Sequence, residues 1–215
     1  MYIAIEGVIG VGKTTLARLL QNSFEAEVLL EVFEENPFLS DFYGDRERYA
    51  FQTQIFFLLS RYHQQRRTVQ DMLATGKHLF ADYTFAKDAL FARINLKGDE
   101  LDMYYKVHEA LAEKIEKPDL LVYLQASTDT LMQRIAFRDR PYERQMEHSY
   151  IHELNLAYDD FFSKPFDHTP VLTIETDHLN IIQNAEHLGW IENRIRQSLS
   201  LPPYQQTLPL PEIPR

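Results

Sequence analysis

The chain has 215 residues, 45% of them hydrophobic, with no cysteine and a formal net charge of −10 at pH 7. That length and apolar content suffice for one substantial core, so a single domain is expected, and the absent cysteines exclude disulfides and thiolate metal sites. The acidic balance, with no basic stripe to offset it, argues against a nucleic-acid binder; no run approaches eighteen apolar residues and the first segment reads as a core strand, so a cytoplasmic protein without a membrane span is expected.

Tyr2 to Glu6 reads as a short buried strand, and Gly7 to Thr14 fit G-x-x-x-x-G-K-[ST]. The apolar positions Leu16, Leu19 and Leu20 then give a helix. Strand, loop, Lys-Thr and helix in that order are the setting of a P-loop. A polyphosphate must meet a row of backbone N–H groups closely, and glycine at Gly7, Gly10 and Gly12 clears the approach. Lys13 is expected to reach the β- and γ-phosphates, the Thr14 hydroxyl to ligate Mg²⁺, and Thr15 to be a weaker phosphate contact.

Glu27 to Glu31 is an apolar run ending in a carboxylate and reads as a second strand. Pro37 breaks regular structure before an aromatic helical stretch containing Phe38, Leu39, Phe42 and Tyr43. A long helix is expected from Arg48 to Leu73, its apolar side interrupted by Gln52, Gln54 and Arg61, as in a pocket wall for a flat ligand bearing heteroatoms. Gly76 ends it, and His78 to Asp82 is a third strand, again closing on a carboxylate. Strand ends of an open parallel α/β sheet line one crevice, so the P-loop, Glu31 and Asp82 are expected to converge there.

Leu101 to Ile115 reads as a helix, Asp119 to Leu124 as a strand, and Thr130 to about Phe137 as a helix capped by Ser127 or Thr128. Arg134, Arg138, Arg140 and Arg144 form a basic cluster in an acidic chain, and Arg134 and Arg138 share a helix face; the expectation is a lid that clamps phosphate. Tyr150 to Phe162 is expected to be helical, Val171 to Glu175 a fifth strand, and Ile181 to Leu199 a final helix. Residues 1–200 thus read as one domain, and 201–215, with five of the ten prolines, as an extended tail.

The blocks GVIGVGKTT, LEVFEENPFLSDFY, RYAFQTQIFFLLSRYHQ, ADYTFAKDALFA, KPDLLVYL and RIAFRDRPYE together resemble the deoxynucleoside kinases, in particular the bacterial deoxyguanosine and deoxyadenosine kinase branch. The resemblance implies an α/β P-loop kinase fold of three layers, with a five-stranded parallel sheet flanked by helices, an arginine-rich lid and a homodimer. It implies transfer of the ATP γ-phosphate, with Mg²⁺, to the 5′-hydroxyl of a deoxynucleoside in nucleotide salvage. By position, Glu31 resembles the carboxylate that takes the 5′-hydroxyl proton, Tyr43 and Glu143 the pair that holds the sugar 3′-hydroxyl, and Gln54 the amide that reads the base edge. Arg61 and Asp88 match further base contacts, Asp82 the acid associated with Mg²⁺ and sometimes proposed as the base itself, and Arg134, Arg138 and Arg140 the lid.

Many members carry an arginine after that acid, as D-R-S or E-R-S, whereas this chain has Asp82-Tyr83-Thr84, a form that resembles the deoxyguanosine kinase branch. Lys87 is the candidate for the cation that Glu31 then needs. Asp88 would suit an exocyclic amine, while the D-Y context points to guanine; the reading is a purine, deoxyguanosine ahead of deoxyadenosine. Two other readings share the cradle. A monophosphate kinase of the thymidylate type is disfavoured because Glu31 would face a second anion, and a non-catalytic scaffold is disfavoured by intact Lys13, Thr14, Glu31 and Asp82.

Overall fold

The structure is a computed structural model that describes residues 1–32, 35–166 and 168–204. Five parallel strands, β1 (Tyr2–Glu6), β2 (Ala26–Leu29), β3 (His78–Ala81), β4 (Leu120–Gln125) and β5 (Val171–Glu175), stand in the order β2-β3-β1-β4-β5. β1 is central and entirely buried, with Ile3 opposite Phe80 on one side and Leu120 on the other. Near-continuous apolar runs such as YIAIE and LLVYLQ are what a sheet covered on both faces requires. The chain leaves β1 toward β2 on one side and later crosses to β4 on the other, so the carboxyl end of β1 is the switch point where a crevice opens.

The helices are α1 (Lys13–Leu20), α2 (Leu39–Gly44), α3 (Arg46–Gln64), α4 (Gln70–Leu73), α5 (Lys87–Asn95), α6 (Gly98–Ala112), α7 (Thr128–Arg138), α8 (His148–Phe162) and α9 (Ala185–Ser198). The predicted long helix is interrupted: α3 passes through a π-helical segment, Gln65–Val69, into α4. The final helix begins at Ala185, four residues later than its apolar pattern suggests, because the Asn184 side chain accepts from the Glu186 and His187 N–H groups and fixes the start there. β2 ends at Leu29, so Glu31 lies two residues beyond the ladder. α5 has no counterpart in the sequence reading. Of the proline-rich tail, 201–204 carry no regular structure and the rest lies outside the described residues. Among the described residues, no helix is long and apolar enough to cross a membrane.

Between α6 and the segment after β3, His108 stacks on Phe85, with ring centroids 4.8 Å apart, and lies 6.2 Å from the Tyr104 ring. Burial lowers its pKa against the weaker upward pull of the Phe85 carbonyl and Glu109. A histidine held neutral by the fold contributes stability above its unfolded pKa of about 6.5, and that contribution is lost as pH falls through this value and below. Tm is therefore expected to drop between about pH 7 and 5, and thermal melts should show a shallower drop in His108→Leu.

Candidate active site

The loop after β1 reaches the head of α1 through left-handed backbone that only glycine adopts easily: Gly7 at φ 146°, Gly10 at 90° and Gly12 at 106°. At Gly7 the need is also steric, since a Cβ would run into the carbonyl oxygen of Leu124 on the neighbouring strand. Lys13 folds back over the loop, donating to the carbonyls of Gly7 (2.6 Å) and Val8 (3.2 Å). Burial pulls its pKa down to about 8, helped by Lys87 and opposed by Glu6, Glu31 and Asp82, so a cation waits where a polyphosphate would neutralise it.

Asp82, immediately past β3, accepts from the Thr14 hydroxyl through one oxygen (2.5 Å) and from the Glu31 N–H through the other (2.7 Å). The acid closing β3 thus joins the phosphate loop to the residue after β2. The Glu31 carboxylate sits between two cations. Lys87 Nζ donates to Oε2 at 2.6 Å, and the Arg61 guanidinium holds Oε1 through Nε (2.8 Å) and Nη2. Burial pushes the Glu31 pKa up, but Arg61 and Lys87 outweigh it and hold the carboxyl well below its usual range. The cation expected of Lys87 is there, and Arg61 supplies a second.

These groups share one cleft whose described lining also includes Gly10, Tyr43, Gln54, Arg138, Arg140 and Glu143. Leu39, Phe57, Phe91, Tyr142 and Tyr158 give it apolar and aromatic walls. Gln54, Phe57 and Arg61 recur at helical spacing on α3, and the Arg61 guanidinium lies 4.6 Å from the Phe57 ring centroid. On the opposite wall, Arg138 grips Glu143 by two parallel bonds, Nε to Oε2 at 2.7 Å and Nη2 to Oε1, with Arg140 3.6 Å from the same carboxylate. Burial raises the Tyr43 phenol well above its ordinary pKa, with Tyr150 and Glu143 adding to the shift, so its hydroxyl remains a donor.

Two residues stand elsewhere than the sequence reading puts them. Arg134 faces away from the cleft: its guanidinium donates to Val11 O (3.2 Å), Thr176 Oγ1 (3.0 Å) and Thr176 O (2.7 Å), tying the phosphate loop to the end of β5. Sharing a helix face with Arg138 placed it near the lid, but the carbonyls around it take its donors. Asp88 is fully buried and ion-paired to Arg61, so it meets the cleft through that guanidinium. Gly7, Gly12 and Thr15 shape the loop and helix head without lining the cleft. Arg144 pairs with Asp139 at the surface.

Glu6 lies outside the predicted site residues. This carboxylate at the end of β1 is completely buried, and it accepts from Thr84 N (2.6 Å), Thr84 Oγ1 (2.9 Å), Gly7 N (3.3 Å) and the Tyr158 hydroxyl (3.3 Å). It thereby ties the phosphate loop, the segment after Asp82 and the cleft floor together. The rule that singled out Glu31 and Asp82, an acid closing a buried strand, would have found it.

The sequence pattern described as deoxynucleoside kinase matches residues 3–200. A deoxyguanosine kinase of Bacillus subtilis (strain 168) is 35% identical over 199 residues, covering 91% of this chain and 96% of that protein. A deoxyadenosine kinase of Dictyostelium discoideum is 33% identical over 178 residues, covering 80% and 71%. Among solved structures, deoxyadenosine kinase from M. mycoides with bound dCTP superposes with a TM-score of 0.78 at 25% identity, over 92% of this chain and all of that one. Matched almost end to end by that pattern and by these relatives, the protein belongs to the deoxynucleoside kinase family.

Proposed function

We propose that the protein transfers the γ-phosphate of ATP to the 5′-hydroxyl of a purine deoxynucleoside, deoxyguanosine first and deoxyadenosine second. The observation that carries this reading is the Glu31 carboxylate, held ionised between Arg61 and Lys87 in a cleft shared with the phosphate loop. In phosphoryl transfer the protein's work is positioning and charge stabilisation. Glu31 accepts the acceptor hydroxyl's proton, Lys13 and the loop N–H groups hold the donor phosphates, and Arg138 and Arg140 meet the charge on the group in flight. Tyr43 and Glu143 hold the sugar 3′-hydroxyl.

A hydroxyl and a carboxylate in contact, Thr14 and Asp82, are the hard oxygen ligands that suit Mg²⁺ alongside water and phosphate oxygens. When bound, the ion neutralises charge on the β- and γ-phosphates.

The Arg61–Asp88 pair supports the reading of guanine first. Asp88 is buried against Arg61, so its carboxylate is taken, and the second N–H of each terminal guanidinium nitrogen would suit the O6 and N7 acceptors of guanine, with Gln54 of the same cleft offering one donor and one acceptor. Leu59 of α3 and Met103 of α6 are 42% and 53% exposed on two helices that pack together, which suits a homodimer. A chain without cysteine fits the cytoplasm.

The test is a panel of the four deoxynucleosides, their ribose counterparts and their monophosphates with ATP and Mg²⁺, reading the product nucleotide. Deoxyguanosine should be phosphorylated fastest, deoxyadenosine next and monophosphates not at all. Preference for a monophosphate would move the protein to the thymidylate-kinase type, and absence of turnover with every acceptor would favour a scaffold.

A further inference from the structure

We propose that Tyr83 and Gln64 are positioning residues for Glu31, acting as one hydrogen-bonded chain on the peptide group that precedes it. The inference rests on the reading of Glu31 as the group that receives the acceptor's proton.

The Leu30–Glu31 peptide lies beyond the last residue of β2, so no sheet ladder fixes its plane. Both of its polar ends are nevertheless held by side chains. Its N–H donates to Asp82 Oδ1 at 2.7 Å, and its carbonyl, on Leu30, accepts from Gln64 Nε2 at 2.8 Å. A peptide group is planar, so gripping N–H and C=O together fixes the rotation of the whole unit and with it the point from which the Glu31 side chain departs. Gln64 stands one helical turn beyond Arg61. The same face of α3 therefore holds the carboxylate with one side chain and the peptide ahead of it with the next.

Gln64 is itself oriented. The Tyr83 hydroxyl donates to Gln64 Oε1 at 2.6 Å, and Tyr83 is completely buried. Leu30 O can only accept, so the amide must turn its NH₂ toward it and its oxygen toward the phenol; Tyr83 locks the productive flip. Burial raises the phenol's pKa far above its ordinary value, so it remains a donor at every pH at which the protein works. Tyr83 does not line the cleft. The residues Asp82 and Tyr83 thus act on opposite ends of one peptide, the first directly and the second through Gln64.

The experiment compares Tyr83→Phe, Gln64→Leu and the double variant with the parent, by steady-state kinetics with deoxyguanosine and ATP, and repeats Tyr83→Phe in a Glu31→Gln background under single-turnover conditions. Misplacement of the carboxylate should lower kcat about tenfold in each single variant while KM for the nucleoside stays within about twofold. The double variant should be no slower than Gln64→Leu, because the two residues form one chain. In the Glu31→Gln background, Tyr83→Phe should leave the residual rate unchanged.

A folded Tyr83→Phe protein turning over at the parent rate would overturn the proposal, as would an equal fractional loss in the Glu31→Gln background, which marks a general structural effect. Tyr83→Phe removes a single oxygen, so the test stands even if Gln64→Leu fails to fold. Glu31→Gln at the parent rate would remove the base reading and this inference with it, whereas an impaired Glu31→Gln beside an unimpaired Tyr83→Phe would defeat the positioning role alone.

Discussion

Glu31→Gln lowers kcat by about 10²–10⁴-fold, the usual worth of a positioned general base, with KM for the deoxynucleoside changed far less. Glutamine keeps the shape and still offers an oxygen to Arg61 or Lys87, but it cannot take up a proton at any working pH. Gln54, Tyr43 and Glu143, the nucleoside's other anchors in the proposed reading, also line the cleft and are left in place. The parent's rate should also show no acid limb from Glu31 between about pH 5 and 7. Arg61 and Lys87 hold its carboxyl below the usual value of about 4.3, so it stays ionised throughout that window. Steady-state kinetics across that pH range check both statements.

The second large effect is on stability. Arg61→Leu should lower Tm by about 6–20 °C. Breaking a buried ion pair by removing one partner costs about 3–5 kcal/mol, and in a chain of this size each kcal/mol moves Tm by about 2–4 °C. The cost arises because Asp88 is wholly enclosed and Arg61 is the only cation paired with it among the described residues. Arg61→Leu/Asp88→Asn, which removes the charge that would be left alone, should recover part of the loss in differential scanning calorimetry. A double variant no more stable than the single would show that Asp88 does not carry the penalty.

Much of this site could be read before any coordinates, for physical reasons. The glycine loop announces itself because only glycine tolerates the left-handed turns and the approach of Leu124 that this backbone requires. Glu31 and Asp82 were visible as acids closing apolar runs, since parallel strands deliver their carboxyl ends to one edge. α5 was invisible for the opposite reason. Lys87 and Asp88 open it and are turned inward to serve Glu31 and Arg61, which breaks the apolar periodicity that would reveal a helix. The π-helical segment after Gln64 left no mark, because its residues would also suit an unbroken helix. Arg134 bonds Thr176 and Val11 apart from Arg138, which spacing does not reveal, because it gives a direction around a helix axis but not which carbonyl waits there.

The bidentate grip of Arg138 on Glu143 has a consequence for the enzyme at rest. A guanidinium already matched to a carboxylate presents little unbalanced charge to a triphosphate that arrives alone. On the proposed reading, a sugar hydroxyl placed on Glu143 would compete for the same oxygens and loosen that hold, leaving the arginine freer to meet phosphate once an acceptor is in place. Such internal neutralisation would restrain wasteful transfer to water.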